Sequence, residues 1–428
     1  MTSEEYARVM GNSWATRLWT VQEHVLATKV KVVCGHATAE LKGFSIFCID
    51  GLRPLQLINV VEIYECREWH QRWNARDVLL DIRQTYLKDR CSFNFEQDIE
   101  SKVEILLYAP VTSQLNNASD PKDKLFAMYG LLEGIVSSLP RVNYLESKEK
   151  IYEDFTRNTI TSFGHFWPSL LDVGMMNLQS SLSSWVSDPS YRQESEYEAM
   201  DAILYHFRSS QIRPLPIDPN LCSIQDSKPG VVSVRGCTLG IINKIGQKWP
   251  GHNESIILDL QCLQSWQDFF HLNTRLPNPN ANGEHKSTSF LKLISFGRPS
   301  TELESWELQA PKMMDWFQDL NLLSGACNFK EVEEEIITDE RKRNFFNMPN
   351  LARSVIFSVS DGKIGTTRAE IAIGDSVVLL ASSILPVLFR PQGEHWRYVG
   401  PAYIDGAMDW RTWICNIDSR QLEIFSPI

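Results

Sequence analysis

Arg17, Gln22 and Glu23 stand within or beside a stripe of apolar residues, Leu18, Val21, Val25 and Leu26, that recurs at helical spacing. The spacing predicts an amphipathic helix over residues 17–27 running into a short strand at residues 32–35. A guanidinium, an amide and a carboxylate at the edge of a buried stripe are either paired in a structural network or line a site, because an unpaired polar group there costs stability. A carboxylate so placed can stabilise developing positive charge, and a guanidinium can polarise a carbonyl.

Other familiar chemistry is missing. The chain has no G-x-G-x-x-G after a strand, no P-loop, no G-x-S-x-G and no H-E-x-x-H. Its nine His are dispersed, none spaced with another for a helical metal pair, and its nine Cys form no C-x-x-C, which argues against a zinc site or a disulfide framework. Scattered thiols suit an intracellular, cytoplasmic protein. No metal and no cofactor is expected.

The 428 residues suffice for two domains with a sizeable core, and a net charge of -11 without a Lys/Arg run argues against nucleic acid as a partner. The N-terminal Met-Thr-Ser-Glu-Glu-Tyr has neither a basic nor an apolar segment of signal-peptide type. The longest apolar stretch, residues 377–389, is interrupted by Ser382, Ser383 and Pro386, so no membrane span is expected. With 13 Trp and 20 Phe, the chain has either a large aromatic core or a pocket for a bulky apolar ligand.

Along the chain, residues 60–87 carry mixed helical periodicity with Trp69 and Trp73 four apart, and a short helix is expected at residues 99–108. In Asp120-Pro121-Lys122-Asp123-Lys124, Asp120 suits an N-cap, Pro121 the first helical position and Gly130 the C-terminal end, with Leu125, Phe126 and Tyr129 buried. A helix starting near Ser147 would bury Ile151, Phe155, Thr159 and Phe163, widened by Tyr152 and Ile160. Ser184-Trp185-Val186-Ser187-Asp188 reads as a turn with a buried Trp. After Pro214 the character changes. Strands are expected at residues 231–237, 255–260, 355–359, 376–380, 387–390 and 396–399, with a hairpin turn at Asp361-Gly362. A Pro/Asn/Gly-rich loop at residues 273–289 and an acidic helical insert at residues 306–343, with Glu333-Glu334-Glu335 as a solvated face, lie between.

Several of these segments, taken in order, resemble the fungal heterokaryon-incompatibility (HET) domain. They are R-x-W-x-x-Q-E-x-x-L-A from Arg17 with Cys34-Gly35 after it, D-P-K-D-K-x-x-A-x-x-G-L from Asp120, Tyr144 with Tyr152-x-x-Phe155, and Ser184-Trp185-Val186-Ser187-Asp188. Phe357 to Gly365, Gly374-Asp375, residues 386–391 and Val399 to Met408 look like the all-β region that often follows such domains. The resemblance implies an incomplete TIR-like (flavodoxin-like) α/β region with a helical extension over residues 1–213. A mainly antiparallel β region over residues 214–428 would follow, in an α+β or α/β fold class. The HET motif normally lies well inside the domain and here begins at Arg17, so most of the front half is expected to be missing.

Two functions follow from the resemblance. Shortened HET-like proteins include small-molecule cyclases of Diels-Alder type in fungal secondary metabolism. That reading implies an apolar terpenoid or polyketide precursor held by Trp19, Trp185, Tyr403 and Trp410, with Arg17 or Arg390 polarising a carbonyl. It is the reading favoured here, because a shortened front end would leave a dinucleotide cleft incomplete. The other is an incompatibility and cell-death effector. In TIR enzymes that cleave NAD, a Glu on a helix following a Trp supplies the catalytic carboxylate, and Trp19-Thr20-Val21-Gln22-Glu23 is similar to that helix, so Glu23 would be catalytic.

Overall fold

The computed structural model describes residues 17–27, 31–34, 37–40, 79, 102, 105, 106, 108–110, 112–163, 181–190, 229–250, 256–273, 286–294, 353–380, 385–407 and 422–428. The chain divides into two compact units, Met1–Phe163 with Val186–Tyr197, and Gly164–Trp185 with Glu198–Ile428. The expected boundary at residues 213/214, the helix at residues 60–87 with Trp69 and Trp73 (apart from Leu79, which is helical and buried), the acidic insert at residues 306–343 and Trp410 lie outside the described residues.

In the first unit, helix α1 (Trp19–Leu26) leads to strand β1 (Lys31–Cys34), which forms an antiparallel hairpin with β2 (Ala37–Glu40). Leu18, Val21 and Val25 are buried as the spacing predicts, together with Thr20 and His24. Leu26 departs from the expectation and is 37% exposed. Lys102, Ile105, Leu106 and Tyr108 are helical, and helical residues continue to Leu115.

Two short helices follow, α2 (Asp123–Phe126) and α3 (Tyr129–Leu132), broken at Ala127-Met128. Gly130 therefore does not end a helix. It sits inside α3, where a Cβ would lie 2.0 Å from the end of the Gln22 side-chain amide and 2.8 Å from Leu26 Cδ1, so its missing side chain leaves room for these two α1 side chains. Helix α4 (Lys148–Phe163) begins where Ser147 Oγ accepts the Lys150 N–H at 3.3 Å, a capping bond. Its buried stripe is Ile151, Tyr152, Thr156, Thr159 and Ile160; Phe155 is only half-buried. The two threonines fit a core stripe because their hydroxyls donate back to the Tyr152 and Phe155 carbonyls at 2.9 Å.

The second unit is built on β3 (Val234–Lys248), longer than the strand expected at residues 231–237. Residues 255–260, expected as a strand, instead open helix α5 (Ile256–Asn273). A short apolar run carries no period of its own. The residues after it supply one, burying Cys262, Leu263, Trp266 and Phe270 on one face. Helix α6 (Lys286–Ile294) occupies the end of the stretch expected to be loop.

Strands β4 (Val355–Val359), β5 (Ile364–Thr367), β6 (Ser376–Leu380), β7 (Val387–Gln392), β8 (His395–Pro401), β9 (Tyr403–Ile404) and β10 (Glu423–Phe425) complete an eight-stranded sheet among the described residues, antiparallel throughout. The fold class is α+β. The Asp361-Gly362 turn joins β4 and β5 as predicted, with Gly362 at φ 89°.

The order β8-β7-β6-β3-β4-β5-β9 puts β8 and β9 at opposite ends of the sheet, yet Ala402 separates them in the chain. The sheet must therefore roll until its edges meet. Thr367 Oγ1 on β5 donates to the Pro401 carbonyl on β8 at 2.7 Å across that seam. Register shifts in β3 let its first half pair β6 and its second half pair β4, the bend a barrel needs. The interior is filled by Leu239, Ile242, Phe357, Val377, Leu388 and Ile404 with their neighbours. Each such side chain is worth about 1.5–3 kcal/mol of burial. No helix among the described residues is long and apolar enough to cross a membrane.

Candidate functional site

Helix α1 separates its residues cleanly. The arc that carries Val21 and Val25 is buried, and the opposite arc exposes Trp19 (38%), Glu23 and Leu26. Trp19 and Glu23 are one turn apart and Leu26 is a turn beyond, so an indole, a carboxylate and an apolar side chain share one accessible face. Arg17 lies just before the helix in an isolated bridge to Asn117 and is exposed. The polar choice posed by the sequence is thus resolved differently for each residue, with Glu23 on the accessible arc and Gln22 at its edge.

Gln22 is the structural member. With its amide oriented to match its neighbours, it donates to the Ala127 carbonyl at 3.2 Å and accepts the Gly130 N–H at 3.3 Å. Those two groups flank the break between α2 and α3, where helix ends leave backbone donors and acceptors without intrahelical partners. The amide bridges the break. At the start of α1, the Leu18 N–H donates to the Asn117 carbonyl at 2.9 Å, so the helix is held at its beginning and its middle.

The Asp-Pro-Lys-Asp-Lys segment is committed to this framework. Asp120 Oδ1 accepts the Lys122 N–H at 2.9 Å, a cap one turn ahead of α2 proper. The Tyr152 hydroxyl donates to the Pro121 carbonyl, and Lys122 Nζ donates to the Tyr144 carbonyl at 2.6 Å. The Tyr144 hydroxyl donates to Asp123 Oδ1, which holds its phenol up at about 12, mostly through that hydrogen bond. Lys124 Nζ donates to the carbonyls of Ser113, Gln114 and Asn116, capping the end of the preceding helical run with positive charge.

A second polar group stands at the start of α4. Lys148 Nζ lies 3.3 Å from both Asp188 Oδ2 and Ser190 Oγ, and Asp188 Oδ1 accepts from the Ser190 N–H at 2.9 Å and from its hydroxyl. Burial first, then the Asp188 carboxylate, push the Tyr152 phenol above its ordinary range. Sequence reasoning did not find Lys148 or Ser190, because the ion pair joins residues 40 apart and no local pattern marks it.

In the second unit the remaining candidates are scaffold. Trp185 is fully buried, as predicted, and its Nε1 donates to the Gly230 carbonyl at 3.0 Å. Its neighbour Ser184 is tied to Ile428 and to the Tyr398 N–H, so the expected Ser-Trp turn packs with the barrel. Arg390 donates from Nε and Nη2 to the Asp375 carboxylate, and Nη2 reaches the Glu370 carbonyl at 2.8 Å as well. Tyr403 is 5% exposed on β9. Trp410 lies outside the described residues. Among the described residues no group of His, Cys, Asp and Glu could hold a metal ion.

No protein-family model, curated protein or solved structure matches this chain.

Proposed function

We propose that this chain is a HET-type cell-death effector whose working surface is the Trp19–Glu23 face of α1. In this reading the first unit is an incomplete TIR-related α/β region, and Glu23 is the carboxylate that meets positive charge on a nucleotide ligand such as NAD. The observation that carries it is the accessible indole one turn from an accessible carboxylate. A flat cationic ring can stack on an indole face while a carboxylate stabilises charge developing on the attached sugar. The order of the motifs supports the same reading.

The cyclase reading asks for a donor and an aromatic wall around an apolar substrate. Of its two candidate donors, Arg17 is exposed and Arg390 is engaged by Asp375; of its aromatic wall, Trp19 is exposed, and Trp185 and Tyr403 are packed in the core. One donor and two wall residues of the cyclase reading are thus committed to the fold, and this supports the effector reading.

The test is incubation of the full chain with NAD and measurement of released nicotinamide, paired with expression in fungal cells. Glu23→Gln is expected to cut release by about 100-fold or more and to abolish killing. Absence of both activities in the wild-type chain overturns the proposal.

A further inference from the structure

We infer that Gln22 and Gly130 are positioning residues that set the pose of the Trp19–Glu23 face; this rests on the reading of that face given above. The two residues come from separate motifs and meet as one joint. The Gln22 amide spans the break between α2 and α3, donating to Ala127 and accepting from Gly130. Gly130 presents bare backbone to it, since a Cβ there would fall 2.0 Å from the end of the Gln22 amide and 2.8 Å from Leu26 Cδ1. Gln22 and Leu26 flank Glu23 on both sides along α1. Any shift at the joint is therefore transmitted to the carboxylate through a single turn of helix.

The joint is anchored from behind. Lys124, one residue into α2, holds the carbonyls of residues 113, 114 and 116, and the Asn117 carbonyl next to them takes the Leu18 N–H. Asp-Pro-Lys-Asp-Lys thus fixes both supports of α1, its start through Asn117 and its middle through Gly130. Neither Gln22 nor Gly130 needs to touch a ligand. Their effect on activity runs through where Glu23 stands.

The experiment is a mutant cycle of Gly130→Ala and Gln22→Ala in the full chain, with Gln22→Glu as a variant that keeps the side-chain size and removes the donor to Ala127. Two readouts are taken, amide hydrogen exchange of residues 19–26 and the kcat and KM of nicotinamide release. Gly130→Ala is expected to speed exchange in α1 about tenfold and to lower kcat about 100-fold with little change in KM. Removing the Gln22 side chain in that background relieves the clash, so the double variant is less impaired than the sum of the single ones. Gln22→Glu loosens α1 in the same direction. Unchanged exchange in Gly130→Ala, or additive effects in the cycle, overturns the positioning role. A wild-type chain that releases no nicotinamide refutes the proposed function instead, and the exchange arm still decides the joint.

Discussion

Arg390 grips Asp375 through two parallel hydrogen bonds, Nε to Oδ1 at 2.8 Å and Nη2 to Oδ2 at 2.9 Å. The carboxylate is almost completely buried, and its Oδ2 also accepts the Ala372 N–H at 2.7 Å. The Asp375 backbone joins in, its carbonyl taking the Ile242 N–H at 2.8 Å. One fork thus fastens β7 to the turn ahead of β6 and, through that turn, to β3. A bidentate guanidinium–carboxylate pair is the strong form of the ion pair, and it leaves Arg390 committed to the fold.

Arg390→Ala should lower the stability of the second unit by about 3 kcal/mol, the low end for stranding a buried carboxylate, because the arginine itself is partly exposed. Arg390→Lys should recover only part of that loss, since an ammonium cannot form the fork. Urea unfolding followed by tryptophan fluorescence measures both. A midpoint unmoved by Arg390→Ala would show the pair to be dispensable.

Arg390 also shows where sequence reading stops. Its type suggests a donor, and nothing local announces that Asp375 will claim it across two strands. The Asp361-Gly362 hairpin is legible because a short tight loop is decided by the residues in it. The α1 stripe is legible for the same reason, with Leu18, Val21 and Val25 buried as spaced. Residues 256–260 mislead because a short apolar run fits either element and only the later Trp266 and Phe270 settle it. Gly130 reads as a helix stop because glycine serves both turns and close approach, and its partner Gln22 is far away in the chain. The closure of the barrel through Ala402 belongs to topology, which no local pattern encodes.

Trp185→Phe should destabilise the second unit by about 2 kcal/mol. The ring is fully buried, so truncation leaves a cavity, and the Gly230 carbonyl loses the indole N–H that it accepts at 3.0 Å. Thermal unfolding of the variant against wild type checks this. The Trp19→Phe change on the exposed face of α1 should leave the midpoint nearly unchanged, which separates a core indole from a surface one.

Tyr144 should be among the last phenols to ionise. Its hydrogen bond to Asp123, then burial and the Asp123 and Asp120 charges, hold it at about 12 against an ordinary value of 10.0. The raised value means that the folded state keeps the proton longer than the unfolded chain. The associated stability is complete below pH 10 and is lost as pH rises toward 12. Difference absorbance of wild type minus Tyr144→Phe should show a transition near 12, which Asp123→Asn moves back toward 10. A Tyr144 transition already near 10 in the wild type would contradict the hydrogen bond.

Gly365→Ala tests the packing of the β5–β9 pair most directly. Gly365 pairs with Ile404 where β5 meets β9, the strand that follows the seam. A Cβ there would lie 2.5 Å from Ile404 Cδ1, 2.6 Å from Phe357 Cζ and 2.7 Å from the Tyr403 carbonyl. Two of those atoms belong to fully buried side chains and the third to backbone, so none can step aside cheaply. Overpacking of this kind costs about 1–3 kcal/mol, and Gly365→Ala should lie at the upper end and loosen the amides of β9 before those of β6. Gly393 is the internal contrast. It turns between β7 and β8 at φ 63°, and a methyl group added there would meet nothing within 4 Å. Gly393→Ala therefore carries only the backbone strain of about 1 kcal/mol, and Gly393→Asn less. Hydrogen exchange and unfolding midpoints for both sites separate a steric seam from an open turn. Equal costs at Gly365 and Gly393 would mean that the packing around the β5–β9 pair yields to a methyl group.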